Sequence, residues 1–568
     1  NGTAGSWQLT DAMTIGSTAT VTLTTGTLNT NGQTCSWGLF TSTASNTRAL
    51  TLGASAITLT SGGTALTTGG TPAITLAANT AVITFTGAGA GTSSGMNWNG
   101  TSLVFSGSGV AFTGGSIGGI TNLTRTGTAI KTDALSFSSA ITLTGTCTLG
   151  GNTTQGVNRL LVQSNTVGTS RTITAAAYVI TGDVDFMDIN LAYSGGASWT
   201  NAGSAYIGDA LGNAGAVTTN ATVSATQTAT GTASFTWSTH GWTSRVPLPQ
   251  DDVVINNAFV AGRTVTIDMP RLGRNITWTG ATGAPTWTGS TACVMYGNLT
   301  MAVGVLTSGG STSLELRGRG THTITTTGCT MRQIAIWGPG GTYTLQDGLT
   351  LSSTNRLWVL AGTFNANGFN IAAQGFEIAG STTRTVNMGS GTWTVLSTGT
   401  MWNAATTTGL TLVPGTATID FTDTSATAKT FAGGGLTYPT LRHIATGSAA
   451  LTITGNNTFA ALDLECTTAR TITFPASGTQ TVTGTFTALG AAGQLLSLRS
   501  SSTGTKWYIT AATTSAQYCD VKDSTATGSG TPIDDTTGGV DSGNNIGWLF
   551  IAGGTAGYSS TLLTLGVG

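Results

Sequence analysis

Charge is what this chain has least of. Lys, Arg, Asp and Glu make up 7% of its 568 residues, where about 25% is usual for a globular domain. Helix faces laced with salt bridges are therefore out of reach. The 20 Lys and Arg are scattered and the net charge is −1, which speaks against a nucleic-acid partner, since phosphate contacts need clustered cations. Glutamate stands only at Glu315, Glu377 and Glu465, each read as isolated, and Asp gathers in turn-like text. The paired carboxylates of a glycan-cleaving solenoid, about 5 to 10 Å apart, are not evident. His240, His322 and His443 are far apart, and no Gly-x-Ser-x-Gly elbow accompanies them, so a nucleophilic triad is not expected. Cys35, Cys147, Cys293, Cys329, Cys466 and Cys519 form no Cys-x-x-Cys pair and read as small apolar packing residues rather than zinc ligands. No run of 18 apolar residues and no cleavable signal occurs, so no membrane insertion is expected. The sequence offers no catalytic, cofactor-binding or metal residue, and no cofactor is expected.

What remains is Thr, Ser, Ala and 83 Gly, with scattered Val, Ile, Leu and Phe. Thr and β-branched residues suit a half-buried pleated surface, and Gly supplies turns. Mean hydropathy is +0.17, against the low hydropathy and high charge of disordered chains. Segments such as Thr20-Val-Thr-Leu-Thr24, Ala140-Ile-Thr-Leu-Thr144 and Leu451-Thr-Ile-Thr454 alternate with period two, the signature of strands with one face inward. The chain reads as all-β.

It also repeats itself at a spacing of 336 residues. Gly26-Thr-Leu-Asn-Thr-Asn-Gly32 returns as Gly362-Thr-Phe-Asn-Ala-Asn-Gly368, and Trp7 stands over Tyr343. Ile83 and Phe85 return as Ile419 and Phe421, while Thr84 between them becomes Asp420. Side chains alternate across a strand, so the first pairs are expected in the core and positions 84 and 420 in solvent. Thr142-Leu-Thr-Gly-Thr146 matches Thr481-Val-Thr-Gly-Thr485 at 339 instead of 336, which predicts a length change absorbed by a surface loop near residues 145 to 160. Because the chain opens at the start of a repeat, Asn1 is not expected to be a translation start.

The spacing of Gly, Asn and Ser-Gly punctuation suits a β-sandwich or a β-solenoid. The expected fold is parallel β-solenoid (β-helix-like) modules, with β-sandwich domains as the alternative for interrupted stretches. Stacked coils put Thr over Thr and Asn over Asn. A single solenoid of about 22 residues per coil would make a rod roughly 120 Å long. The expected organisation is a first β-module over 1–213, an Ala/Thr-rich connector over 214–236, an intervening β-segment over 237–336, a second copy over 337–550 and a tail over 551–568.

Asp183, Asp185 and Asp188, and Asp534, Asp535 and Asp541, are residue types that calcium takes, but their spacing matches neither an EF-hand nor the nonapeptide array. Capping and turn roles are expected instead, as for Asp251-Asp252 after Pro247-Leu-Pro249. Tryptophans such as Trp7, Trp98 and Trp393 read as core or inter-chain packing before sugar stacking.

The phrases Gly26-Thr-Leu-Asn-Thr-Asn-Gly32, Arg245-Val-Pro-Leu-Pro-Gln-Asp-Asp-Val-Val254 and Asp541-Ser-Gly-Asn-Asn-Ile-Gly-Trp-Leu-Phe550 resemble Gly/Thr-rich repeat proteins of tailed bacteriophages and environmental bacteria. That resemblance implies a virion fibre or appendage, or a cell-surface fibre, and transfers no catalytic residue. A surface with so little charge favours self-association. The expected function is a non-enzymatic structural protein of a phage fibre, at a virion surface or outside a cell. Its expected partners are other copies of itself, virion or cell-surface proteins and host glycans. A bacterial or archaeal fibre or adhesin is the competing expectation, and a glycan-cleaving tailspike a third.

Overall fold

The computed structural model describes residue 2 and residues 5–551, apart from 88–90, 94–95, 115–116, 154–155, 258, 260–261, 280–282, 290 and 308–312. Of the expected tail, only residue 551 is among them. Period-two text becomes short strands with one buried and one outward face, and every strand pairs in parallel with the strand one coil away. The chain is thus a parallel β-solenoid, and no β-sandwich interrupts it among the described residues.

The coils form two solenoids. The first encloses a core running from Leu23 to Val217, and the second a core running from Ala229 to Trp548. Between them a short helix, Ala216–Asn220, lays Ala216 and Val217 over the end of the first core. The rest of the expected connector already supplies strands Thr226–Gly231 and Phe235–Thr236 of the second solenoid. The expected border at 336/337 falls inside strand Ile334–Leu345, within an unbroken 20-stranded sheet. The segment 237–336 and the second copy therefore share one core, and the 336-residue spacing marks recurrence of a unit inside it.

Register shows how faithfully the unit recurs. Trp7, Leu28, Leu50 and Leu76 stack in successive coils of the first solenoid, and Tyr343, Phe364, Val386 and Leu412 stack at the corresponding places in the second. The Gly-Thr-Leu-Asn-Thr-Asn-Gly phrase is a corner. Asn31 and Asn367 adopt φ of 53° and 54°, a left-handed conformation that Asn tolerates. The side chains of Asn29 and Asn365 accept their N–H at 2.8 and 3.0 Å. Their own amides reach back one coil to the carbonyls of Leu9 and Leu345, both at 3.1 Å. The drift to 339 is recovered between Leu149 and Leu160, where a turn follows Gly151; the second copy spans the corresponding stretch with the shorter Ala491–Gln494 turn.

A second recurring device is less visible in sequence. Arg48 and Arg384, 336 residues apart, are 1% and 0% exposed, and hydrogen bonds to carbonyls hold their guanidinium groups. Arg48 donates to the carbonyls of Ser42, Asn46, Gly69 and Pro72. Arg384 donates to those of Ile378, Thr382, Thr406 and Thr408. Each arginine staples two adjacent coils at a corner where carbonyls point inward without a ladder partner.

The solenoids touch through a mixed junction. Met187 and Ala210 of the first pack with Tyr296 of the second. The Asp185 carboxylate receives Arg159 at 3.0 Å and Arg271 of the other solenoid at 2.5 Å, all three side chains being at most 4% exposed. Burial pushes the Asp185 carboxyl up, but the two arginines outweigh it and hold it below its usual range. Arg319 pairs with Asp188 at 2.6 Å, and Lys131 reaches Asp268. Successive coils of the second solenoid, at Arg271, Tyr296, Arg319 and Pro339, meet Asp185, Met187, Asp188 and Gly168. Those positions follow the strand direction of the first solenoid. Asp268 and Arg271, close together in one coil of the second, meet different coils of the first. The two axes therefore cross, and the coils form two shorter stacks set against each other instead of one rod.

Two tests follow from this packing. Arg384→Met is expected to destabilise by about 3 kcal/mol or more, because a buried carbonyl left without a donor costs about 1–3 kcal/mol; the readout is a lowered urea midpoint, with Arg48→Met shifting it in the same direction. Asp185→Ala leaves two buried arginines facing each other at a cost of about 3–5 kcal/mol, and calorimetry should resolve two transitions where the parent gives one. Arg271→Ala, which leaves Asp185 paired with Arg159, should cost less.

Candidate functional site

Strands Thr418–Phe421, Thr437–His443, Thr458–Glu465 and Thr479–Leu489 stack in consecutive coils of the second solenoid. Ile419, Leu441, Leu462 and Phe486 point into the core. The outward ladder between them is Asp420, Arg442, Asp463 and Thr487, with neighbours about 4.8 Å apart along the axis. Ile83, Phe85, Ile419 and Phe421 are buried as the alternation predicts. Thr84 is half-buried. Asp420 departs from the expectation of a solvent position: it lies on the outer face yet is only 6% exposed. The reason is Arg442, whose Nη2 donates to Asp420 Oδ2 at 2.6 Å and folds over it. The Arg442 side chain itself remains 37% exposed, and its hydrogen bond to Asp420 raises its pKa. The other Asp420 oxygen, Oδ1, is buried without a hydrogen-bond partner among the described residues.

Asp463 and Glu465 occupy alternate outward positions of one strand. Partial burial and then the neighbouring Glu465 push the Asp463 carboxyl up to about 6, against a smaller lowering by Arg442. Asp463 therefore keeps its proton to a higher pH than an ordinary carboxyl. Glu465 also borders a groove of about 190 Å³ whose other lining includes Ile444, Leu489, Ala491 and Gln517. Sequence reading took Glu465 as isolated and Asp as confined to turns. The structure corrects this, because Asp463 is two residues away on the same face and Arg442 and Asp420 arrive from the two preceding coils.

The first solenoid provides an internal comparison. Its counterpart ladder runs Thr84, Val104, Thr124 and Thr148, in place of Asp420, Arg442, Asp463 and Thr487. Where Glu465 pairs with Leu489 at the groove, the first solenoid pairs Thr126 with Gly150. The same stack forms without any of these charges, so coil packing does not require them.

Other residues singled out by sequence have structural surroundings. The Asp183 carboxylate accepts the N–H of Gly156 and Tyr206 at 2.6 and 2.8 Å, while Asp185 and Asp188 form the junction. Asp251 gathers Arg245 and the N–H groups of Ala225 and Leu248, organising the turn after Pro249. Asp534 caps Thr536, and Asp541 accepts from Gly543 and Asn545. Asp535 is fully buried, and its carboxyl is pushed up to about 7 by that burial. All six cysteines are buried and free, with Cys147 at the place of Phe486 in the second copy. His443 faces the core against Arg470 at 2.7 Å. Trp98, Trp393 and five further tryptophans are fully buried, whereas Trp7 is 41% exposed.

No protein-family model, no curated protein and no solved structure matches the chain. The coordinates define its class by themselves: a parallel β-solenoid protein of two crossed stacks, one of which carries a charged outer ladder beside a groove.

The raised Asp463 carboxyl makes stability depend on pH. Asp463 binds its proton more tightly folded than unfolded, so its contribution to stability is present below about pH 4 and is lost as pH rises through about 6. The Asp463→Asn variant should therefore gain in Tm on the parent as pH is raised from about 4 to 7, with a constant difference above that; a calorimetric pH series checks it.

Proposed function

We propose that the protein is a non-enzymatic structural element that assembles with copies of itself into a fibre or appendage at a virion surface or outside a cell. A β-solenoid is compatible with a fibre-like or adhesin-like part, and the observation that carries the reading further is where the charge goes. Twelve of the 20 basic residues are engaged in ion pairs. Two more, Arg48 and Arg384, are spent on internal carbonyls. Much of the outer face is left to columns of short neutral side chains, such as Thr321, Thr342, Thr363, Thr385 and Thr411 in consecutive coils. Faces of that kind carry almost no repulsion against a second copy.

The test is light scattering with negative-stain microscopy across a concentration series. Elongated, protease-resistant oligomers are expected; a compact monomer at every concentration, readily digested, would overturn the proposal.

A further inference from the structure

The outer face of the second solenoid carries an arrangement that neither stacking nor self-association requires. We propose that the ladder Asp420–Arg442–Asp463, with Glu465 and the adjoining groove, is a binding site for a neutral glycan strand.

Three observations lead there. The first is the internal comparison, in which Thr84, Val104 and Thr124 build the same three coils without charge. In a chain with 7% charged residues, four charged side chains converge on this one patch. The second is the state of Asp420, 6% exposed and with one oxygen that has no hydrogen-bond partner among the described residues. A buried acceptor without a donor is costly, and coil packing gives no reason to keep one here. The third is the groove itself, whose wall combines Ile444, Leu489 and Ala491 with Glu465 and Gln517.

The chemistry selects the ligand class. A metal ion is disfavoured because Arg442 stands between the two aspartates, and among the described residues no cluster of three metal-ligating side chains occurs. An anion is disfavoured because carboxyl groups flank that arginine on both sides. A sugar ring suits both parts of the site. Its C–H face lies on the aliphatic wall, and its hydroxyls donate to Glu465 and accept from Arg442 and Gln517, since each hydroxyl both donates and accepts. A peptide strand has no sheet edge to join here, because strand Thr458–Glu465 is paired on both sides. This inference does not depend on how copies of the protein assemble.

The test uses the whole chain on an array of neutral, acidic and basic oligosaccharides, followed by calorimetric titration of a neutral one that is retained. A second arm measures adsorption to an insoluble neutral polysaccharide, to distinguish a free oligosaccharide from a surface-borne chain as the source. The decisive variant combines Asp420→Thr, Arg442→Val and Asp463→Thr, which gives the ladder the composition the first solenoid already folds with. It should keep its far-UV spectrum and melting curve while losing at least tenfold in affinity. Glu465→Gln and Leu489→Trp, one altering the rim and one filling the groove, should each weaken binding with the fold intact. Retention of acidic or basic glycans only, of peptides only, or of no glycan by the parent would overturn the proposal. So would a triple variant that binds as the parent does.

Discussion

Parallel pairing of each coil with the next is the constraint on which the rest of this molecule depends. Each coil offers its backbone N–H and C=O groups to its two neighbours, so any side chain stands directly over its counterpart one coil away. That single rule makes the inward ladders of Ile, Leu and Phe, the outward columns of Thr, and the corners where Asn31 and Asn367 repeat one hydrogen-bond pattern. It also explains how so little charge suffices. Cohesion comes from the ladder and the apolar interior, and the few charges are engaged at corners, at the junction and in outer-face pairs such as Arg499 with Asp520 and Arg442 with Asp420.

The two buried arginines illustrate the first of those failures. A coil that turns a corner leaves carbonyls pointing inward, and a guanidinium offers five donors in a rigid fork. Arg48 and Arg384 meet this need identically in the two copies, and both stand without a carboxylate partner. The junction uses a different solution, with Asp185 between two arginines in a setting where a carboxylate alone would not remain ionised.

Much of the fold was legible because its signals are local. Period two at Ile83 and Phe85 gave the core face, and substitution of Thr84 by Asp420 correctly marked the outer one. What remained hidden requires register. Asp420, Arg442 and Asp463 are 21 to 22 residues apart in the chain and become neighbours only once coils are stacked, so Asp420 looked like a solvent residue, whereas the Asp463-Leu464-Glu465 alternation that gives Glu465 a neighbour was open in the sequence. Arg48 and Arg384 stand 336 residues apart in the sequence, but their burial against carbonyls shows only in the folded coils. The junction had no periodic signal, since contacts such as Arg271 with Asp185 join unlike parts of two stacks.

The crossing of the two stacks has a mechanical meaning. Along the axis of either solenoid, tension is borne by hydrogen bonds between coils, which can open one coil after another; along the strands it is borne by covalent backbone. Because the coils of the second stack advance along the strand direction of the first, a pull that would peel one stack apart runs along the strong direction of the other. A molecule of crossed solenoids therefore has no common direction in which both stacks peel, a form of toughness that a single straight stack of equal length lacks.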